Sequence, residues 1–101
     1  MAAQVVWSET AITDLCAIAA YIARDSPTYS AALIERIFYA VESLARFPTM
    51  GRVVPEYARE ELRQVIVRPY RIVYRAGSAA IQIVTVVHGA RSLPPGRDAS
   101  R

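Results

Sequence analysis

Arginine, tyrosine and a single histidine are the chemistry-bearing residues of this chain, and they crowd into its second half. The run Glu61-Leu62-Arg63-Gln64-Val65-Ile66-Val67-Arg68-Pro69-Tyr70-Arg71-Ile72-Val73-Tyr74-Arg75 threads four arginines and two tyrosines through an apolar, β-branched pattern. After a short turn it is followed by Val86-Val87-His88-Gly89-Ala90-Arg91. A strand core by itself is built from residues such as Val and Ile. A guanidinium presents a planar fork of donors that matches phosphates and carboxylates. The stretch therefore reads as a surface for nucleic acid or for an acidic protein partner. All 12 Lys/Arg positions are Arg, against 9 Asp and Glu, for a formal net charge of +3. Arginine does not give up its proton in a protein, so His88 is the one basic residue suited to proton abstraction near neutral pH.

Each candidate also has a plain structural use. Arg71 and Arg75 alternate with Val73 and could simply pair with Glu56, Glu60 or Glu61 on a solvated sheet face, although Arg71 fits that use less well than Arg75. Arg63 and Arg68 read as general surface charge. A lone histidine at a strand end is more often a hydrogen-bonded structural residue than a catalyst. Cys16 stands beside Ile12 and Ala19 on the second face of a helix and reads as a small core or near-core residue. Tyr57, Tyr70 and Tyr74 could stack on bases, but more commonly pack with the hydroxyl at the surface. One cysteine permits no intrachain disulfide, and no second histidine or thiolate pair stands at metal-ligand spacing. No Walker loop, dinucleotide-binding glycine fingerprint or nucleophile elbow is present, which argues against a cofactor-dependent enzyme.

The elements that must position these residues follow from periodicity and capping. Gln4-Val5-Val6-Trp7 reads as a first strand. Ser8 then caps a helix with Glu9 in its first turn, and Ala11, Leu15, Ile18 and Ile22 make its apolar face. Asp25-Ser26-Pro27 ends that helix and starts a second. The second carries Leu33, Ile34, Ile37, Val41 and Leu44 on a stripe widened by Phe38 and Ala45, and stops at Phe47-Pro48. Residues 49–52 form a loop that Val53 to Glu56 continue in extended form. Three strands complete the chain: Leu62 to Val67, Tyr70 to Arg75 with Arg68-Pro69 as the turn before it, and Ala80 to His88 after Gly77-Ser78. On the last strand, Ile81, Ile83, Thr85 and Val87 are expected on one face and Gln82, Val84, Val86 and His88 on the other.

The order predicts an α+β fold: an N-terminal strand, an antiparallel helical hairpin, then a three-stranded antiparallel meander. The hairpin should cover one face of an antiparallel sheet and leave the other partly free for function. At 101 residues with 53% apolar composition, residues 1–93 make a single domain and 94–101 a flexible tail. No apolar run approaches the roughly 20 residues of a membrane helix, and the N-terminus lacks the pattern of a signal peptide. With one cysteine, a reducing, cytoplasmic location is expected.

The same residues resemble the RelE/ParE toxins of bacterial type II toxin–antitoxin systems. The resemblance rests on Trp7-Ser8, Ala11, Asp14-Leu15, Ile18 and Tyr21-Ile22-Ala23, then on Leu44, Phe47-Pro48, Gly51-Arg52 and Pro55-Glu56. Arg63, Tyr70-Arg71-Ile72-Val73-Tyr74-Arg75 and Val87-His88-Gly89-Ala90-Arg91 complete it. It implies a toxin neutralised in a hetero-oligomer by a cognate acidic, ParD-like antitoxin whose C-terminal segment wraps it. Arg63, Arg68, Arg71, Arg75 and Arg91 are the expected target- or antitoxin-contacting residues, with no cofactor and no metal.

The resemblance leaves the target open between two branches. RelE-like members cut mRNA on the ribosome, whereas ParE-like members inhibit DNA gyrase without catalytic chemistry of their own. Against the first branch, RelE uses strand lysines as bases where this chain has Arg63 and Val65, and a tyrosine past the last strand that Ser92 to Arg101 lacks. A YoeB-like nuclease would use Glu56, Arg71 and His88, with Arg91 matching a further arginine, but Gly89 occupies the place of its final tyrosine. The helical opening and the His-Gly-Ala-Arg ending are more ParE-like. The favoured expectation is a gyrase-inhibiting, non-enzymatic toxin that arrests growth and stabilises plasmids. The alternatives are a ribosome-dependent endoribonuclease and an inactive toxin kept as an antitoxin-binding module.

Overall fold

The computed structural model describes residues 3–93, so the tail expected at 94–101 lies outside the described residues. The chain order is β1 (Gln4–Trp7), α1 (Glu9–Ala23), α2 (Pro27–Arg46), β2 (Arg52–Val53), β3 (Leu62–Val67), β4 (Tyr70–Ala76) and β5 (Ala80–His88). Both helix starts use the anticipated caps. Ser8 Oγ accepts the Ala11 N–H at 3.0 Å and Ser26 Oγ accepts that of Tyr29 at 3.1 Å. Each bond satisfies a donor that the first helical turn leaves unpaired. Pro27 occupies the first turn of α2, and Phe47, just before Pro48, caps its end.

The five strands form one sheet in the order β1-β5-β4-β3-β2. β3, β4 and β5 make the expected meander, and the two-residue β2 extends it antiparallel to β3. The sheet is mixed, however, because β1 runs parallel to β5. The cause is the helical hairpin. α2 returns the chain to the end where β1 began, and the Ala3 N–H bonds the Ala45 carbonyl at 2.8 Å. β3 therefore starts out in the direction of β1, and two further reversals leave β5 in that direction too.

The helix-side core holds Leu33, Ile37, Val41 and Leu44 of α2 and Ala11 of α1 against Ile72, Tyr74, Ile81, Ile83 and Val86 of the sheet. Leu15, Ile18 and Ile22 pack beside it. The apolar stripes are narrower than the sequence pattern indicates. Phe38 is 50% exposed, as is Ile12, and Cys16 lies on the exposed side of α1 rather than near the core. Positions 12 and 16 are one turn apart and form an outward row.

The opposite face of the sheet is not free. Val73, Val84 and Val87 are covered there by Val54, Leu93 and Tyr57, which come from the loop after β2 and the segment after β5. A bulge brings Val87 into this second core. Tyr74 stands opposite Ile83 and Val73 opposite Thr85, leaving Val84 as the extra residue. A bulge of one residue inverts the alternation beyond it. Val86 consequently joins the helix-side core while Val87 faces the other way, the reverse of the simple two-residue period. The start of α1 stitches the bulge in place. Ser8 Oγ donates to the Val84 carbonyl at 2.7 Å. The Asp14 carboxylate accepts the Thr85 hydroxyl and, at 3.1 Å, the Val86 N–H.

Candidate functional site

Arg71 sits on β4, the central strand, and its side chain is only 7% exposed. Burying a guanidinium is costly unless its donors are matched, and here both Nη groups are matched while Nε is buried without a partner. Nη2 bonds Glu56 Oε2 at 2.8 Å, and Nη1 bonds Glu56 Oε1 at 3.2 Å and Gln64 Oε1 at 2.8 Å. Nη2 also donates to the Arg91 carbonyl. Glu56 in turn accepts the Leu93 N–H at 3.2 Å. One buried arginine thereby pins the loop after β2 and the segment after β5 onto the outer face of the sheet. Hydrogen bonding from Arg71 lowers the Glu56 carboxyl to about 2, against an ordinary 4.5, and outweighs the opposing effect of desolvation. Such a carboxylate holds its charge at every physiological pH and is a weak base.

The other candidate residues fall elsewhere. His88 is exposed at the end of β5. It packs edge-on against Tyr70, with ring centroids 5.8 Å apart. Its Nδ1 accepts the Ala90 N–H at 3.1 Å. Because the bulge inverts the alternation, Tyr70 and His88 share the helix side of the sheet, whereas Arg71 and its partner Val87 face the other. Glu56 and Arg71 are thus brought together, and His88 is not. Arg91 contributes its backbone carbonyl to the cluster while its residue is exposed.

Arg63 proves to be a buttress rather than general surface charge. Its Nη1 donates to the Gly51 carbonyl at 2.9 Å. Beside it the buried Tyr74 hydroxyl accepts the Gly51 N–H at 3.0 Å and donates to the Pro48 carbonyl at 2.7 Å. Burial raises the Tyr74 pKa, keeping the phenol protonated as a donor. Glycine is required at 51, because a Cβ there would lie 2.6 Å from both the Gln64 carbonyl oxygen and the Tyr74 hydroxyl. Arg75 pairs with Glu61 at 3.6 Å, and Glu61 also bonds Arg59. Arg68 is exposed at the β3–β4 turn.

Gln64 and Asp14 are the polar residues whose roles the sequence reading missed. Gln64 was visible as an amide inside a β-branched run, a place where a polar side chain needs a partner. Among the described residues no group of three or more His, Cys, Asp or Glu is placed to hold a metal ion, and no helix is long and apolar enough to cross a membrane.

The sequence and the fold of the chain match those of known proteins. The family described as the ParE toxin of the type II toxin–antitoxin system parDE matches residues 5–93. Toxin RelE2 of Caulobacter vibrioides is 39% identical over 89 residues, spanning 88% of this chain and 98% of that protein. The fold is similar to that in the chromosomal ParDE system of P. aeruginosa, with a TM-score of 0.69 at 21% identity over 85% of this chain and 95% of the other. It is also similar to a chain of the RelBE2 toxin–antitoxin complex of Mycobacterium tuberculosis, with a TM-score of 0.58 at 25% identity over 87% and 99% of the two chains. Sequence match and architecture agree: the chain belongs to the ParE toxin family of type II toxin–antitoxin systems, within the wider RelE/ParE group.

Proposed function

We propose that this protein is a toxin that acts by binding rather than by catalysis, with DNA gyrase as its target and a cognate antitoxin holding it inactive. One observation carries the reading. The carboxylate that a nuclease would use as its base, Glu56, is bonded through both oxygens to Arg71 and has its pKa lowered to about 2. General-base catalysis needs a group whose pKa lies near the working pH and whose lone pair faces substrate. His88, the remaining proton carrier, stands on the opposite side of the sheet from that pair. Glu56 and Arg71 are accordingly assigned to architecture. Arg68, Arg91 and His88, exposed at one end of the sheet, are assigned to contact with the target or antitoxin.

The name of the Caulobacter relative, RelE2, favours a second reading as a ribosome-dependent endoribonuclease. Two assays run together separate them. Purified toxin is added to gyrase in a DNA supercoiling assay and to translating ribosomes in an mRNA cleavage assay. Blocked supercoiling with intact mRNA supports the proposal, and codon-positioned cuts with normal supercoiling reject it. A His88→Ala variant sharpens the test. Growth arrest should survive this exchange, and its loss in a folded variant would restore histidine chemistry. No arrest by the wild-type chain would leave an antitoxin-binding module.

A further inference from the structure

The connection between α2 and β2 presents two large apolar side chains to solvent. Phe47 is 62% and Met50 55% exposed, and neither belongs to the core on either face of the sheet. The Met50 N–H donates to the Phe47 carbonyl at 3.0 Å. That bond closes a four-residue turn with Pro48 in its second position, where a fixed φ suits. The first and last residues of such a turn lie within about 7 Å of each other, so Phe47 and Met50 stand close together.

This turn is held more firmly than a surface connection requires. The buried Tyr74 hydroxyl donates to the Pro48 carbonyl and accepts the Gly51 N–H, and Arg63 Nη1 donates to the Gly51 carbonyl. Two side chains from the sheet thus fix main-chain groups at and just after the turn, although connecting segments are ordinarily the mobile part of a fold. Rigidity of this kind removes an ordering cost that binding would otherwise meet. The charge around the turn has one sign. Residues 43–55 contain two arginines, Arg46 and Arg52, and no carboxylate. Both arginines are exposed, and neither has an ion-pair partner among the described residues. The dipole of α2 accounts for Arg46 at its C-terminal end but not for Arg52.

We infer that this turn is the anchor by which the toxin seats on its target, with Phe47 and Met50 entering an apolar pocket of a folded protein and Arg46 and Arg52 pairing with carboxylates at the pocket's rim. The inference rests on the reading of the protein as a toxin that acts by binding. Aromatic residues, methionine and arginine are the types enriched where proteins meet. Met50 has no ring to stack on a base, which favours a protein over a nucleic acid. A segment that wraps the toxin needs a groove, whereas a rigid turn offers a pair of anchors suited to a concavity in a preformed partner.

The test compares the full-length wild-type toxin with a Phe47→Ser, Met50→Ser variant and an Arg46→Glu, Arg52→Glu variant. Each is measured for inhibition of gyrase supercoiling, for affinity to the antitoxin encoded beside the toxin, and for thermal midpoint. Both variants should keep the midpoint and the antitoxin affinity of wild type, yet need roughly tenfold more protein or above for half-inhibition. Undiminished inhibition by either folded variant would overturn the inference. So would three reassignments of the turn: to the antitoxin, if its affinity falls equally; to nucleic acid, if a photo-cross-linker at Thr49 captures RNA on ribosomes; and to a second copy, if wild type self-associates and the variants do not. Should wild type leave gyrase untouched, the gyrase reading alone falls and growth arrest replaces supercoiling as the readout. Arrest undiminished in the folded variants then overturns the inference, and arrest lost with antitoxin affinity intact upholds it. A wild-type chain that arrests nothing would overturn both.

Discussion

Replacing Glu56 by Gln keeps the shape of the side chain and removes the charge opposite Arg71. Each pKa unit is worth about 1.36 kcal/mol, so lowering the carboxyl from 4.5 to about 2 bounds its electrostatic contribution at roughly 3 kcal/mol. Glu56 keeps 22% of its side chain exposed, and solvent screens a pair of that kind, so about 1–2 kcal/mol is the expected loss at pH 7. For a domain of this size that lowers the thermal midpoint by roughly 5–15 °C. The sign of the pH dependence follows from the depressed carboxyl. Its contribution is fully present above the unfolded value of 4.5 and is lost as pH falls towards about 2. Urea unfolding of wild type and Glu56→Gln at pH 7, 4.5 and 3 should show a gap that is widest at neutral pH and narrows below 4.5. Equal stabilities at pH 7 would refute the electrostatic lock. A gap that stays constant down to pH 3 would show that shape or hydrogen-bond geometry, not charge, holds Arg71.

Other perturbations probe the remaining joints. Tyr74→Phe removes the hydroxyl that serves both Gly51 and Pro48, and denaturant unfolding should report a loss of about 1–3 kcal/mol for the two orphaned backbone groups. Asp14→Ala strips the bulge of its acceptor for the Val86 N–H; it should cost about 1–3 kcal/mol and speed exchange at Val86 and Thr85 before the rest of β5. Cys16→Ser should change stability by no more than about 0.5 kcal/mol, since the residue is exposed. The free thiol of wild type should react with a thiol reagent without unfolding.

Local chemistry was legible in the sequence wherever one short segment settles the outcome. Ser8 and Ser26 cap α1 and α2, Pro27 opens the second helix and Pro48 closes it, because caps and prolines act within a few residues. The strands β3 and β5 occupy the residues that their β-branched runs indicate. Face assignments were legible only as far as the alternation held. Val84 inserts one residue into β5 and moves Val86 to the helix-side core and Val87 away from it. Nothing near Val84 announces the shift, since the acceptor that stabilises it belongs to Asp14, 72 residues from Val86 in sequence.

The candidate site divides along the same line. Arginine in mid-strand demands a partner whatever the fold, so a pairing of Arg71 or Arg75 with Glu56, Glu60 or Glu61 could be read from residue types and desolvation, but the choice of Glu56 by Arg71 could not. That the pair locks two loops, with Gln64 and the Leu93 amide completing it, depends on which segments cross the outer face of the sheet. The sequence alone determined the helical hairpin, β1, the meander and the kinship with the ParE toxins, while the short β2 (Arg52–Val53) was read as loop. Tertiary structure alone decided that β1 lies parallel to β5 as an open edge, that the sheet has cores on both faces, and that His88 stands apart from Arg71. Helix caps and strand propensity are energies of neighbouring residues, whereas strand order, bulges and loop docking depend on contacts between residues distant along the chain.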